Sequence, residues 1–252
     1  MNTLYNEDCF ETIKRLTDEN KKIDIVLTSP PYNTSYCKND KRGYHSRYNG
    51  NYNDYKNDEE YINWITDLIN NINNILIENG VILLNLSYSA NKPYLYIQLL
   101  NNIIEHTNYC IADTIVWKKK HCMVDNSSPN RVSRITEFVF VICRKSELKT
   151  FKTNKKYLFN KGNQRFFSPM YNYIEANNND GSTKLNKATF SSELVYKLLL
   201  MYANKDTIVY DCFMGTGTTA IGCLKYGCNY IGSEINTEQY NYSINRIKKM
   251  GY

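Results

Sequence analysis

Thr28-Ser29-Pro30-Pro31-Tyr32 sets a hydroxyl, two prolines and an aromatic ring directly after a short apolar run at residues 23–28. An exocyclic nucleobase amine is a poor nucleophile, because its lone pair is delocalised into the ring. A hydroxyl and a backbone carbonyl that accept its two N–H bonds favour the tetrahedral, nucleophilic nitrogen. Ser29 supplies such a hydroxyl, and Pro30 and Pro31 suit the carbonyl role because they fix the backbone and bring no competing N–H. Tyr32 can stack on a base extruded from a duplex. The same residues also read as a proline-stiffened strand terminus, since Pro-Pro commonly marks a turn.

A second constellation, Asp211-Cys212-Phe213-Met214-Gly215-Thr216-Gly217-Thr218-Thr219-Ala220, joins an expected strand to an expected helix. Gly215 and Gly217 permit a tight turn and a close backbone approach, and a helix N-terminus supplies free N–H groups. Glu234 closes the next expected strand, where an acid can accept from ribose hydroxyls. Taken alone this is a GxGxxA dinucleotide fingerprint. A nicotinamide fold begins with that unit, however, and adds strand-helix pairs after it. Here only one helix follows before the C-terminal residue, so the other strands come from upstream and the nucleotide-binding half stands last.

The elements that must carry these residues follow from periodicity. Residues 23–28 read as a buried strand, and the polar, tyrosine-rich stretch 33–57 is too long for an ordinary turn. Helical spacing runs over 59–77, with Asn79-Gly80 expected as its cap and 81–86 as the next strand. Residues 93–106 read as a helix, 111–117 and 138–143 as strands, and 145–186 has little periodicity. Helix 191–202, strand 207–212, helix 218–226, strand 229–233 and helix 238–249 complete the chain. Strands alternating with helices imply an α/β fold, a mostly parallel sheet covered on both faces.

Composition narrows the function classes. The chain has 252 residues, enough for one domain with a sizeable core, and its 42% hydrophobic content is that of a soluble globular protein. No apolar run is long enough to span a bilayer and the first thirteen residues carry no signal-peptide pattern, so no membrane partner is expected. The eight cysteines form no CxxC, and His45, His106 and His121 have no ligand spacing around them. A cytoplasmic or other reducing intracellular compartment and no metal are expected. The net charge of +6 is uneven: residues 118–165 hold thirteen Lys or Arg against three acids, leaving the rest at about −4. Such a basic belt fits a nucleic-acid backbone as readily as a solvated lysine-rich loop.

Together the two constellations are similar to the catalytic and cofactor motifs of the amino-methyltransferases that modify DNA at cytosine N4 or adenine N6. The order, catalytic motif first and glycine-rich motif last, resembles their beta group. Tyr5 to Cys9 resembles the acidic strand end that grips the cofactor adenine, Lys187-Ala188-Thr189-Phe190 the segment that packs on its methionine part, and Trp117-Lys118 through Arg134 and Glu137 the family's Trp-x-Lys…Arg…Glu strand pair. Two departures stand out: Asp211-Cys212-Phe213 replaces Asp-Pro-Phe, and Asn186-Lys187 replaces His-Pro.

The resemblance implies a circularly permuted Rossmann-like methyltransferase that uses S-adenosyl-L-methionine on double-stranded DNA. The catalytic half is expected over 1–144, a target-recognition insertion over 145–186 and the cofactor half over 187–252. Implied catalytic residues are Ser29, Pro30, Pro31 and Tyr32. Implied cofactor residues are Asp8, Cys9, Thr189, Phe190, Asp211, Phe213, Gly215, Thr216, Gly217, Thr218 and Glu234; Lys118, Lys119, Lys120, Arg131 and Arg134 are expected to meet DNA. Members with Ser at position 29 tend to be cytosine-N4 enzymes, whereas Asp or Asn accompanies adenine N6, so cytosine is favoured over adenine. C5 methylation lacks its Pro-Cys motif here, and glutamine methyltransferases place the glycine-rich unit first. An inactive nucleic-acid-binding relative, a homodimer and a partnership with a cognate restriction endonuclease are all compatible with the sequence.

Overall fold

The structure is a computed structural model that describes residues 2–33, 56–88, 92–122, 124–126, 128–181, 185–186 and 189–251. Most of the tyrosine-rich stretch, His45, and the Lys187-Ala188 half of the segment expected at the methionine part lie outside the described residues.

Strand β1 (Asn2–Tyr5) leads to helix α1 (Cys9–Asp18), β2 (Ile23–Thr28) to α2 (Asp58–Ile72), and β3 (Leu76–Leu86) to α3 (Leu95–His106). The antiparallel pair β4 (Tyr109–Lys119) and β5 (Thr136–Arg144) follows, then a hairpin of β6 (Tyr157–Lys161) and β7 (Gln164–Phe167), and β8 (Tyr173–Ala176). The chain ends with α4 (Ser192–Tyr202), β9 (Ile208–Asp211), α5 (Thr218–Tyr226), β10 (Asn229–Ser233) and α6 (Thr237–Lys248). Eight strands form one sheet in the order β1-β10-β9-β2-β3-β5-β4-β8, with β5 alone running against the others. Apolar side chains of α1, α2 and α3 cover one face. Those of α4 and α5, with Ile247 of α6, cover the other. The expected fold class is therefore the observed one.

The strand order fixes where chemistry can occur. From β9 the chain crosses through α5 to β10 on one side, and from β2 it crosses through α2 to β3 on the other. Neighbouring strands β9 and β2 thus diverge at a topological switch point, and the crevice outside their carboxyl ends is where open α/β sheets bind ligands. Ser29 begins the segment after β2, and Cys212 the segment after β9.

Two sequence expectations need correction. Helical spacing continues to residue 77, yet α2 stops at Ile72, and Asn79-Gly80 lies inside β3 instead of capping a helix. The stop is tertiary: Arg144, from β5, donates to the carbonyls of Leu76 and Ile77 at 2.8 and 2.9 Å and to Asn73 Oδ1 at 2.8 Å. Asn79 has φ of 58°, so the strand kinks there, and a Cβ on Gly80 would stand 2.9 Å from the Asp24 carbonyl. Within the segment expected as an insertion, β8 belongs to the main sheet, pairing in parallel with β4. Only β6 and β7 form a separate sheet.

Candidate active site

A cleft of about 1040 Å³, counted out to its open mouth, occupies the switch point. Its walls bring together Asp8, Cys9, Ser29, Pro30, Pro31, Tyr32, Thr189, Phe190, Asp211, Phe213, Gly215, Thr218 and Glu234, residues taken from both ends of the chain. Both constellations of the sequence therefore face one space.

Its two lips are tied together beneath the floor. Thr28 Oγ1, on the last residue of β2, donates to Asp211 Oδ1 at 2.7 Å. The same carboxylate accepts from the Phe213 N–H at 3.0 Å and from Thr219 Oγ1 at 2.5 Å. Burial raises the Asp211 pKa, opposed by these three donors. Asp211 braces the glycine-rich turn against the catalytic strand, with both its oxygens engaged inward.

The turn itself is shaped by two glycines with different duties. Gly215, at φ 56°, donates its N–H to Glu234 Oε2 at 2.7 Å, while Asn236 N–H donates to Glu234 Oε1 at 2.7 Å. The carboxylate at the end of β10 is thereby aimed into the cleft, and burial raises its pKa against those two donors. Gly217, at φ 82°, begins α5, and a Cβ there would stand 2.7 Å from Ser243 Cβ on α6. Gly217 and Thr216 are not among the cleft-lining residues: Gly217 serves the α5–α6 approach, and the Thr216 carbonyl accepts from Arg246 at 3.2 Å.

On the opposite lip, Ser29 Oγ donates to Tyr32 Oη at 3.1 Å. Tyr32 is half-buried and also lines a smaller pocket with Tyr61, Ser87 and Tyr96. Asp8 Oδ1 accepts from the Phe10 N–H at 2.9 Å, capping α1, so this acid shapes the helix entry as well as the cleft wall. Trp64 of α2 meets Phe213 edge to face at 5.5 Å and extends the aromatic wall. Trp64, Gln239 and the brace at Thr28 were not singled out from the sequence. Trp64 reads there as one more apolar position of an amphipathic helix.

The expected DNA-contacting cations stand outside the cleft, near the carboxyl end of β4. Lys118 pairs with Glu175 at 3.1 Å, Lys119 with Glu137 at 2.5 Å and Lys120 with Glu193 at 2.7 Å. Arg131 is exposed, and Arg134 donates to the Tyr88 carbonyl at 2.7 Å. Lys118, Lys119 and Lys120 are thus each neutralised by a neighbouring carboxylate, which the linear charge count does not reveal.

Comparison with known proteins agrees in fold. A family model described as DNA methylase matches residues 23–245. The Type II methyltransferase M.BglII of Bacillus subtilis is 23% identical over 255 residues, covering 94% of this chain and 66% of that relative, so the chain spans just under two thirds of its length. Among solved structures, an M1.HpyAVI-SAM complex superposes with a TM-score of 0.62 at 23% identity over 98% of both chains. The PvuII DNA methyltransferase (cytosine-N4-specific) gives a TM-score of 0.69 at 18% identity, over 97% of this chain and 87% of that one.

Proposed function

The chain belongs to the DNA methylase family, and from that premise we propose that it is a site-specific DNA methyltransferase acting on the exocyclic amine of a flipped base, cytosine N4 before adenine N6. The observation that carries this reading is the placement of Ser29-Pro30-Pro31-Tyr32 and of the Gly215–Glu234 turn on opposite lips of one cleft, braced by Thr28 and Asp211.

The residues present fit S-adenosylmethionine. Glu234, oriented by two N–H groups, suits the ribose hydroxyls, and the Phe213–Trp64 wall offers apolar surface beside them. Asp8, Cys9, Thr189 and Phe190 all line the cleft, the first two suiting the adenine and the last two the methionine part. The cofactor supplies a methyl group already activated on a sulfonium, so no strong base is needed before transfer. Ser29 Oγ and the Pro30 carbonyl accept the amine's two N–H bonds and localise its lone pair. The Tyr32 ring stacks on the base. Cytosine is preferred because Ser29, an uncharged hydroxyl, stands where adenine-N6 relatives carry Asp or Asn.

Duplex DNA reaches this cleft from the carboxyl rim of the sheet, where Arg131 and Arg134 stand, and residues 145–186 supply target contacts. Incubation with S-adenosylmethionine and mixed-sequence duplex, then nucleoside mass spectrometry, tests the proposal. 4-Methylcytosine is expected. 6-Methyladenine would move the specificity to adenine, and cofactor binding with no methylated nucleoside would leave only a binding protein.

A further inference from the structure

Tyr32 is held by more than base stacking requires. Its Oη accepts from Ser29 Oγ at 3.1 Å and lies 3.0 Å from Asn85 Oδ1 and 3.3 Å from Glu137 Oε2. Asn85, on β3, donates its Nδ2 to the Phe138 carbonyl at 3.0 Å, which turns its oxygen toward the tyrosine. Glu137, on β5, offers its other oxygen to Lys119 Nζ of β4 at 2.5 Å, and that ammonium sits 5.2 Å over the Trp117 ring. Lys118 points instead to Glu175, and Arg134 to the Tyr88 carbonyl. Ser29, Tyr32 and Glu137 therefore form a line of hydroxyl, hydroxyl and carboxylate leading out of the cleft.

We propose that Glu137 is a positioning residue that receives, through Tyr32 and Ser29, the proton lost by the methylated amine. This rests on the methyltransferase reading above. As the amine nitrogen forms its new bond to carbon, positive charge builds on it, and an acceptor in line for its proton lowers the barrier. Its N–H bond to Ser29 then breaks and the proton goes to Ser29 Oγ. The Ser29 proton passes to Tyr32 Oη, and the Tyr32 proton passes to Glu137 Oε2. The amine ends neutral, the carboxylate ends as a neutral acid, and both hydroxyls are restored. A protonated exocyclic amine, its lone pair used, is a far stronger acid than a carboxylic acid, so the transfer runs downhill. Asn85 is a neutral amide and cannot take the proton; it holds the Tyr32 hydroxyl in line. Lys119 holds the other Glu137 oxygen at 2.5 Å and so fixes the orientation of the carboxylate.

Single-turnover methyl transfer to duplex DNA by the full chain, followed from acid to neutral pH, tests this with Glu137→Gln, Tyr32→Phe and the double variant. Affinity for S-adenosylmethionine and for DNA is measured on each. Tyr32→Phe keeps the stacking ring and removes only the hydroxyl. Each single variant should slow transfer about tenfold or more and abolish the acid limb of the wild-type profile, and the double should be no slower than the slower single. Affinities should stay within about twofold. Unchanged rate and profile in Glu137→Gln would overturn the relay. So would additive losses with weakened binding and an intact acid limb, the mark of a structural role. A wild-type chain that yields no methylated nucleoside would remove the methyltransferase reading and the relay together, whereas an active wild type with insensitive variants removes the relay alone.

Discussion

Thr28 and Asp211 are 183 positions apart and share a buried hydrogen bond, whereas Tyr157 and Phe167, on adjoining strands of one hairpin, meet edge to face in solvent. The cleft is made of such distant pairs. Ser29, Asn85 and Glu137 converge on one hydroxyl from three parts of the chain, and Gly215 and Glu234 join two crossovers. None of these contacts exists until the sheet has formed, and the polar groups then hold each other in place before any ligand arrives. The β6–β7 hairpin is the opposite case. Its rings pack mainly on each other, Phe159 on Phe166 at 5.0 Å, and Phe159 remains 52% exposed. Two strands alone are marginally stable in water, and the rings of this pair lie open to solvent. Residues 148–172 carry five lysines, one arginine and no acid, a charge that attracts polyanions. The long-range polar cleft and the locally packed basic hairpin thus occupy structurally different ground.

The largest effect expected from this contrast is at Asp211. Asp211→Ala strands the Thr28 and Thr219 hydroxyls and the Phe213 N–H in a buried site, and should cost about 3 kcal/mol or more in urea unfolding and abolish cofactor binding. Phe159→Ser, half in solvent already, should change stability by less than about 0.5 kcal/mol. Equal losses at the two positions would erase the distinction.

Glycines sharpen it next. Gly217 and Gly162 both adopt positive φ, 82° and 60°. At Gly217 an added Cβ also meets Ser243 Cβ at 2.7 Å, so Gly217→Ala should cost about 2–4 kcal/mol as α5 and α6 are forced apart. Around Gly162 nothing lies within 4 Å, so Gly162→Ala should cost only the backbone term, about 1–2 kcal/mol. Thermal unfolding of both variants checks the ratio, and comparable shifts would mean that α5 and α6 yield to the added methyl without strain.

The same contrast explains what was legible in the sequence. Strand ends followed by Ser-Pro-Pro-Tyr or by a glycine-rich turn announce themselves locally, and the reversed order of the two is visible without coordinates. The helix end at Ile72 was not legible, because the Arg144 guanidinium that takes the following carbonyls comes from a strand 71 positions away. Nor was β8, a four-residue strand with only Ile174 and Ala176 buried that adds to β4 only through tertiary pairing. Asn85 likewise looks ordinary in sequence, and Thr28 and Glu137, though they sit in recognisable motifs, show nothing there of their partners. Their importance lies in what they face, which spacing does not encode.

Charge offers a further separation. Among the described residues no carboxylate pairs with Lys155, Lys156, Lys161 or Arg165, whereas Lys118, Lys119 and Lys120 each have one. The hairpin stem is also anchored at the C-terminal end of α4: Asn154 Nδ2 donates to Leu200 O at 3.0 Å and to Ala203 O at 2.6 Å. Replacing the four hairpin cations by alanine should lower the salt dependence of DNA binding by about one unit of slope for each phosphate no longer neutralised. Replacing Lys118 and Lys120 should change it less. Arg131→Ala, at the carboxyl rim, measures the rim's own share. A salt slope that responds to Arg131 and ignores the hairpin would confine DNA to the rim and give the hairpin a different anionic partner.

A last separation lies at the seam between the two regions. Glu193 on α4 accepts from Lys120 at 2.7 Å, Lys197 at 2.9 Å and the Asn177 N–H at 2.9 Å, fastening the rim to the helix. Burial pushes its carboxyl up, but these three donors outweigh burial and hold it down at about 2, against an ordinary 4.5. A carboxyl depressed in the folded state lends stability that is fully present above its ordinary range and is lost as pH falls from 4.5 through about 2. Glu193→Gln should therefore cost about 1–2 kcal/mol near neutrality, discounted for solvent screening of a partly exposed group, and should flatten the acid side of the stability curve. Residues 148–172 contain no carboxyl, so that segment has nothing of its own to titrate over this range. Hydrogen exchange at falling pH should open the Lys120–Asn177 seam while leaving protection between β6 and β7 unchanged. If the hairpin opened first, its strands would depend on the seam, and the two regions would not be independent.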